Sequence, residues 1–126
     1  MDDKLSGQVI GAAFAVHNQL GFGFLESVYE RALSIELAKS GIAHKTQFPV
    51  QVWYDGQIVG DFIADMVVEG ALVVELKSVT SLATAHEVQL VNYLTATKHE
   101  TGLLINFGPT KVDVKRKYRT LSPNDQ

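Results

Sequence analysis

The stretch Ala71-Leu72-Val73-Val74-Glu75-Leu76-Lys77-Ser78-Val79 reads as a central strand with two charges set inside it. Apolar residues stand on both sides of Glu75 and Lys77, the composition of a strand covered on both faces. Successive side chains of a strand point to opposite faces, so two charges two positions apart share one face. Burying an unpaired carboxylate or ammonium is costly, and a chain that places both in such a strand must supply a partner, hydrogen bonds or a metal ion. A solvated Glu-Lys pair is the plainer alternative and suits an edge strand. It is the weaker account here because the preceding strand, Phe62-Ile63-Ala64-Asp65-Met66-Val67-Val68, supplies a third ionisable group, Asp65.

Whether Asp65 joins the other two depends on hairpin register. A two-residue loop at Glu69-Gly70 would pair position 65 with 74 and send Asp65 to the opposite face. A three-residue loop, Val68-Glu69-Gly70, gives Gly70 the left-handed position and sets Asp65 opposite Val73, diagonal to Glu75. The second register is the expectation. It brings two carboxylates within reach of one hard cation, and magnesium favours such a site when it keeps waters for a phosphate substrate.

Outward from this pair of strands the period changes. Val9, Ile10, Ala13, Val16, His17 and Leu20 recur at helical spacing from about Lys4 to Leu20, with Gly21 as the stop. A second helix fits Phe24 to Ser40 on the stripe Leu25, Val28, Tyr29, Ala32, Leu33 and Leu37, ended by Gly41. Phe48 to Tyr54 and Gln57 to Val68 read as strands about the Asp55-Gly56 turn, although the alternation of the first is imperfect. Thr84 to Thr97 reads as a helix, Gly102 to Phe107 as a buried strand and Val112 to Tyr118 as a last, basic strand. The fold class is therefore α/β, a single mixed β-sheet flanked by helices, with residues 1–126 as a single domain and 122–126 as a frayed tail.

At 126 residues the chain is long enough to bury a core without staples. It has no cysteine, which removes disulfides, thiolate zinc sites and cysteine nucleophiles together. No long uncharged apolar run exists and Asp2 and Asp3 open the chain, so a signal segment or membrane contact is not expected and the location read from the sequence is cytoplasmic. Net charge is -3, yet Lys111, Lys115, Arg116, Lys117 and Arg119 cluster near the carboxyl end. Such a strip could meet phosphates, or could simply protect an edge strand with lysines.

Gly23, Glu26 and Tyr29, within Leu20-Gly21-Phe22-Gly23-Phe24-Leu25-Glu26-Ser27-Val28-Tyr29-Glu30, match the signature of the bacterial and archaeal GxxExxY proteins. The resemblance runs through Gln89-Leu90-Val91-Asn92-Tyr93 to Gly102-Leu103-Leu104-Ile105-Asn106-Phe107. That family is assigned to the PD-(D/E)xK nuclease superfamily, which implies a restriction-endonuclease-like core with Asp65, Glu75 and Lys77 as its three signature residues. Ala64 stands where the motif has proline, a change the superfamily tolerates. The resemblance also implies that Glu26 completes the metal site from the second helix, although a first-turn glutamate favoured by the helix dipole is an equal reading of the residue itself. It further implies that Gln89 and Tyr93, four apart on the third helix, position substrate, where boundary packing would be the ordinary reading of such a pair.

The implied activity is magnesium-dependent phosphodiester hydrolysis of DNA or RNA, with manganese as a substitute. Asp65, Glu75, Glu26 and the backbone carbonyl of Leu76 would hold the ion, while Lys77, kept protonated by two carboxylates, would stabilise phosphate charge. The competing class is a nucleic-acid-binding or protein-interaction module that keeps the fold with little catalysis, and a third reading makes the carboxylates structural. A homodimer is compatible with so small a domain. Other signals lead nowhere: Glu26 breaks the dinucleotide fingerprint after Gly21 and Gly23, Leu90 breaks a zinc-protease motif after His86-Glu87, and His17 reads as a hydrogen-bonded core histidine.

Overall fold

Helical spacing in the first third of the chain becomes two helices, α1 (Asp3–Leu20) and α2 (Glu26–Lys39), in a computed structural model that describes residues 3–120. The expected tail at 122–126 lies outside the described residues. Strands β1 (His44–Tyr54), β2 (Gln57–Val68) and β3 (Leu72–Lys77) follow, then α3 (Thr84–Thr97), β4 (Thr101–Phe107) and β5 (Val112–Tyr118). The five strands form one sheet in the order β1-β2-β3-β4-β5, with β3 and β4 parallel and the other neighbours antiparallel. The strand quoted first in the sequence is thus the central one. Its parallel step to β4 is made by α3, as a crossover requires.

Alternation along β3 divides the core. Leu72, Val74 and Leu76 pack with Leu103, Ile105 and Phe107 under α1 and α2, where Val9, Ala13, Tyr29, Leu33 and Leu37 are buried. Val73 packs on the other face with Leu104 under α3, against Leu90, Tyr93 and Leu94. Close seating of α3 needs Gly102: a Cβ there would lie 2.9 Å from Leu90 Cδ1, 3.1 Å from Leu94 Cδ2 and 3.1 Å from the Val73 carbonyl oxygen. His17 Nε2 is hydrogen-bonded to the Gly108 carbonyl at 2.7 Å, as expected, but the residue is half-buried at the margin of the core and not inside it.

The expected hairpin register is corrected by two residues. Met66 pairs with Val74, Val67 with Val73 and Val68 with Leu72, so the loop is Glu69-Gly70-Ala71. Glu69 and Gly70 are both left-handed (φ 54° and 65°), and the Ala71 N–H bonds to the Val68 carbonyl at 3.0 Å. The turn is pinned there because the Glu69 N–H also bonds to the Ala43 carbonyl at 2.8 Å. A shift of two preserves the face, so Asp65 stays with Glu75 but moves from diagonal to directly opposite.

The imperfect alternation of β1 coincides with a register shift against β2 between Val52 and Trp53, and β2 has a break of its own. Ala64 and Val67 pack in the α3 layer, whereas Met66 and Val68 pack in the α1–α2 layer, so β2 changes face at Asp65. Opposite it on β1, Gln47 takes φ 52°, and the printed ladder passes from Thr46–Met66 to Phe48–Ala64 across this point. Local breaks of this kind re-aim a side chain.

The basic carboxyl-terminal strip occupies the sheet edge. Lys117 is paired with Glu87 at 2.5 Å, Arg119 with Glu100 at 2.9 Å and Lys111 with Asp113 at 3.8 Å. Much of its charge is answered within the chain, which favours the protected-edge reading over a phosphate-binding strip.

Candidate active site

Asp65 and Glu75 meet where the β2–β3 ladder stops. The Asp65 N–H donates to Glu75 Oε1 at 3.3 Å, and Asp65 Oδ2 accepts the Leu76 N–H at 2.8 Å. Carboxylates therefore take the main-chain partners that the ladder would have used. Only 5% of Glu75 is exposed. Burial, then the neighbouring charge of Asp65, pushes the Glu75 carboxyl up to about 9, and its protonated form gains a hydrogen bond to Asp65. Lys77 opposes this by its positive charge, but with a smaller effect. The metal-free pair thus favours holding a proton, which lessens the negative charge that faces Lys77.

Such a crowded pair is chemically suited to a divalent cation, which would replace the proton and relieve the repulsion. Oxygen donors are the right type for magnesium or manganese. The Leu76 main chain adds to this. Its N–H faces β2, and in an extended strand the carbonyl of the same residue faces the same neighbouring strand. Among the described residues no group of three or more His, Asp or Glu side chains is close enough to hold a metal, so the protein side chains offer a carboxylate pair and leave further positions to main chain and water.

The helix acids are arranged differently from the sequence expectation. Glu26 is exposed in the first turn of α2, beside a small hollow it shares with Phe22, Phe24 and Ser78, past the end of β3. It does not join the Asp65–Glu75 pair. Glu30, one turn further along the same flank, lies nearer: burial raises its pKa, the hydrogen bond from Gln47 Nε2 (2.7 Å) opposes that, and the charge of Asp65 raises it further. Glu30 escaped the sequence reading. Its signal was a second acid four residues after Glu26 on the edge of the same apolar stripe.

The signature around Glu26 explains the placement of α2. Gly23 adopts φ 112°, which favours glycine, and the buried Tyr29 hydroxyl donates to the Gly21 carbonyl at 2.5 Å while its ring stacks on Phe107 at 4.3 Å. Ser78 Oγ donates to the Phe24 carbonyl at 2.8 Å, tying this turn to the end of β3. A second missed residue is Asn106, fully buried and paired with Lys77 in the ladder. Its Oδ1 accepts the Val79 N–H and its Nδ2 donates to the Val79 carbonyl, both at 2.9 Å, so it pins the chain just beyond Lys77. A lone amide inside an apolar strand was its sequence signal.

Tyr93 is buried beside the pair, its ring stacked on Phe62 at 4.1 Å and its pKa raised by burial, then by Glu75 and Asp65. Gln89 stands exposed one turn away and shares a broad groove with Tyr93. His86, by contrast, caps its own helix, with Nδ1 accepting the Ala83 N–H at 3.1 Å.

A mixed sheet whose central strand carries Glu-x-Lys, faced by an aspartate from the adjoining strand and flanked by helices, is the arrangement of PD-(D/E)xK nucleases. The family model of the PD-(D/E)XK nuclease superfamily matches residues 3–117, and the chain belongs to that superfamily. Its members generally use divalent metal ions. A solved structure titled "Crystal structure of SSO0001" superposes with a TM-score of 0.62 at 19% identity, over 78% of this chain and 52% of that one. The likeness is one of fold, and this chain spans about half the length of that structure. No curated protein matches the sequence. No helix among the described residues is long and apolar enough to cross a membrane.

Proposed function

We propose that the protein is a metal-dependent phosphodiesterase acting on nucleic acid, with Asp65, Glu75 and Lys77 at its centre. The observation that carries this reading is the pairing of half-buried Asp65 with buried Glu75, interlocked through main-chain N–H groups, beside a lysine on the same sheet face. Asp65, Glu75 and the Leu76 carbonyl would hold magnesium, or manganese in its place. When bound, such an ion polarises a phosphoryl oxygen and acidifies a water. Lys77 stabilises the charge that builds on the phosphate, its main chain fixed through Asn106 and Val79. Glu30 bounds the site from α2 and acts on Asp65 by charge, while Glu26 serves from outside the pair, at the end of β3. Tyr93 and Gln89 position the substrate. Within the superfamily, Gly23, Glu26 and Tyr29 support a place among the GxxExxY proteins.

The test is cleavage of DNA and RNA substrates by purified protein with magnesium or manganese. Asp65→Asn and Lys77→Ala should be inactive while remaining folded by circular dichroism. Cleavage undiminished in both variants would overturn the assignment. One observation favours a second reading, a nucleic-acid-binding module of little activity: no third acidic side chain joins the pair among the described residues. Binding retained by Asp65→Asn, with no cleavage by the wild type under any divalent ion, would establish that reading instead.

A further inference from the structure

The β1–β2 hairpin and α3 enclose between them an open groove of about 1180 Å³. Trp53, 59% exposed, stands on its hairpin wall. Phe62 and Tyr93, stacked on each other, form its inner end, and Gln89 and Asn92 line the α3 wall. Tyr93 belongs to both the groove and the acid pair, since Glu75 and Asp65 act on its phenol. The groove thus borders the acid pair through Tyr93, while Asp65, Glu75 and Lys77 do not themselves line it.

Its chemistry discriminates between forms of nucleic acid. Cationic contacts to phosphates serve duplex and single-strand binding alike, and Lys98 is the one cation among the groove-lining residues, so discrimination must come from the groove's aromatic and amide groups. The chain carries a net charge of -3, and at the opposite sheet edge Lys117, Arg119 and Lys111 are paired with Glu87, Glu100 and Asp113. What the groove offers is an exposed aromatic face and side-chain amides. An unpaired base can stack on an aromatic ring and offer its Watson–Crick edge to amides, whereas inside a duplex its faces are stacked and that edge is paired. We propose that this groove takes a single strand of nucleic acid, with one base stacked on Trp53 and its backbone led past Tyr93 toward Asp65 and Glu75. The inference rests on the phosphodiesterase reading of the acid pair and adds the substrate class: single strands, overhangs or frayed ends.

Trp53 is the only tryptophan, so its fluorescence reports on the groove alone. In buffer with EDTA, where no cleavage can occur, oligothymidylate or oligouridylate should quench it saturably, and a blunt duplex should not. Whichever of the two strands quenches at lower concentration identifies DNA or RNA as the preferred source. Anisotropy of a labelled strand should show binding weakened about tenfold in Trp53→Ala, the order carried by one base–aromatic stack, and largely restored in Trp53→Phe. Gln89→Ala provides a second variant on the opposite wall and should weaken binding as well. Equal quenching by duplex and single strand, or wild-type binding by both Trp53→Ala and Gln89→Ala, would overturn the inference. Cleavage is scored separately. Strands that bind and quench without being cut under any divalent ion leave the groove assignment standing and remove the phosphodiesterase reading. Duplex cleavage without quenching does the reverse.

Discussion

The two faces of the central sheet are built from the same strands to opposite ends. Under α1 and α2, the even-numbered residues of β3 (Leu72, Val74 and Leu76) enter an apolar layer with Met66, Leu103, Ile105 and Phe107. On the α3 face the odd-numbered residues begin with Val73 and turn to the buried Glu75 and the half-buried Lys77, and further along this face α3 and the β1–β2 hairpin leave an open groove. One face is sealed by two helices and supplies cohesion. The other is half covered by one helix and holds a carboxylate pair whose ionisation the fold resists. The contrast teaches that the site is tolerated because the opposite layer stabilises the strand that carries it.

Substitutions on the two faces should therefore fail differently. The largest effect is expected from Asp65→Asn, which should reduce cleavage by on the order of a thousandfold or more with little loss of thermal stability. Its counterpart is Leu76→Ala, one position from Glu75 on the opposite face. Urea unfolding should show a loss of about 2–5 kcal/mol there, with activity of the folded fraction retained. If Leu76→Ala were the inactive but stable variant, the division of labour would be broken.

Gly102→Ala sharpens the boundary between the layers. The added methyl meets Leu90, Leu94 and the Val73 carbonyl. A loss of about 1–3 kcal/mol is expected, with Tyr93 displaced from its stack on Phe62 as α3 is lifted. Near-ultraviolet circular dichroism would read the displacement.

A pH series tests the electrostatic half. Glu75 ionises near 4.5 in the unfolded chain and near 9 in the folded one. Between these values the native state binds the extra proton, so metal-free stability should fall as pH rises through that window. Glu75→Gln should remove this slope and be more stable than wild type at the alkaline end. The smallest effect separates the helix acids: Glu30→Gln should shift the concentration of metal needed for activity more than Glu26→Gln, because Glu30 acts on Asp65 and Glu26 stands at the strand end.

Much of this contrast was legible in the residues. A carboxylate and an ammonium two apart in an apolar run located the central strand and its functional face, because a period of two leaves no other placement. Helix periods and the glycines that end them gave the order of elements. The exact hairpin register was not legible: two three-residue loops keep Asp65 on the same face, and only the Glu69 contact to Ala43, distant in sequence, chooses between them. The face change at Asp65 was hidden for the same reason, since it shows in sequence only as blurred alternation. Glu30 and Asn106 were missed because their roles depend on Gln47 and Val79, partners that local spacing does not reveal.

Calorimetric titration of manganese into metal-free protein at neutral pH, repeated in buffers of different ionisation enthalpy, addresses the acid pair most directly. A saturable heat is expected, with a buffer dependence showing that a proton leaves as the ion binds, and both features should vanish in Asp65→Asn and Glu75→Gln. Absence of heat and of thermal stabilisation in the wild type, or binding unchanged in both variants, would contradict the account.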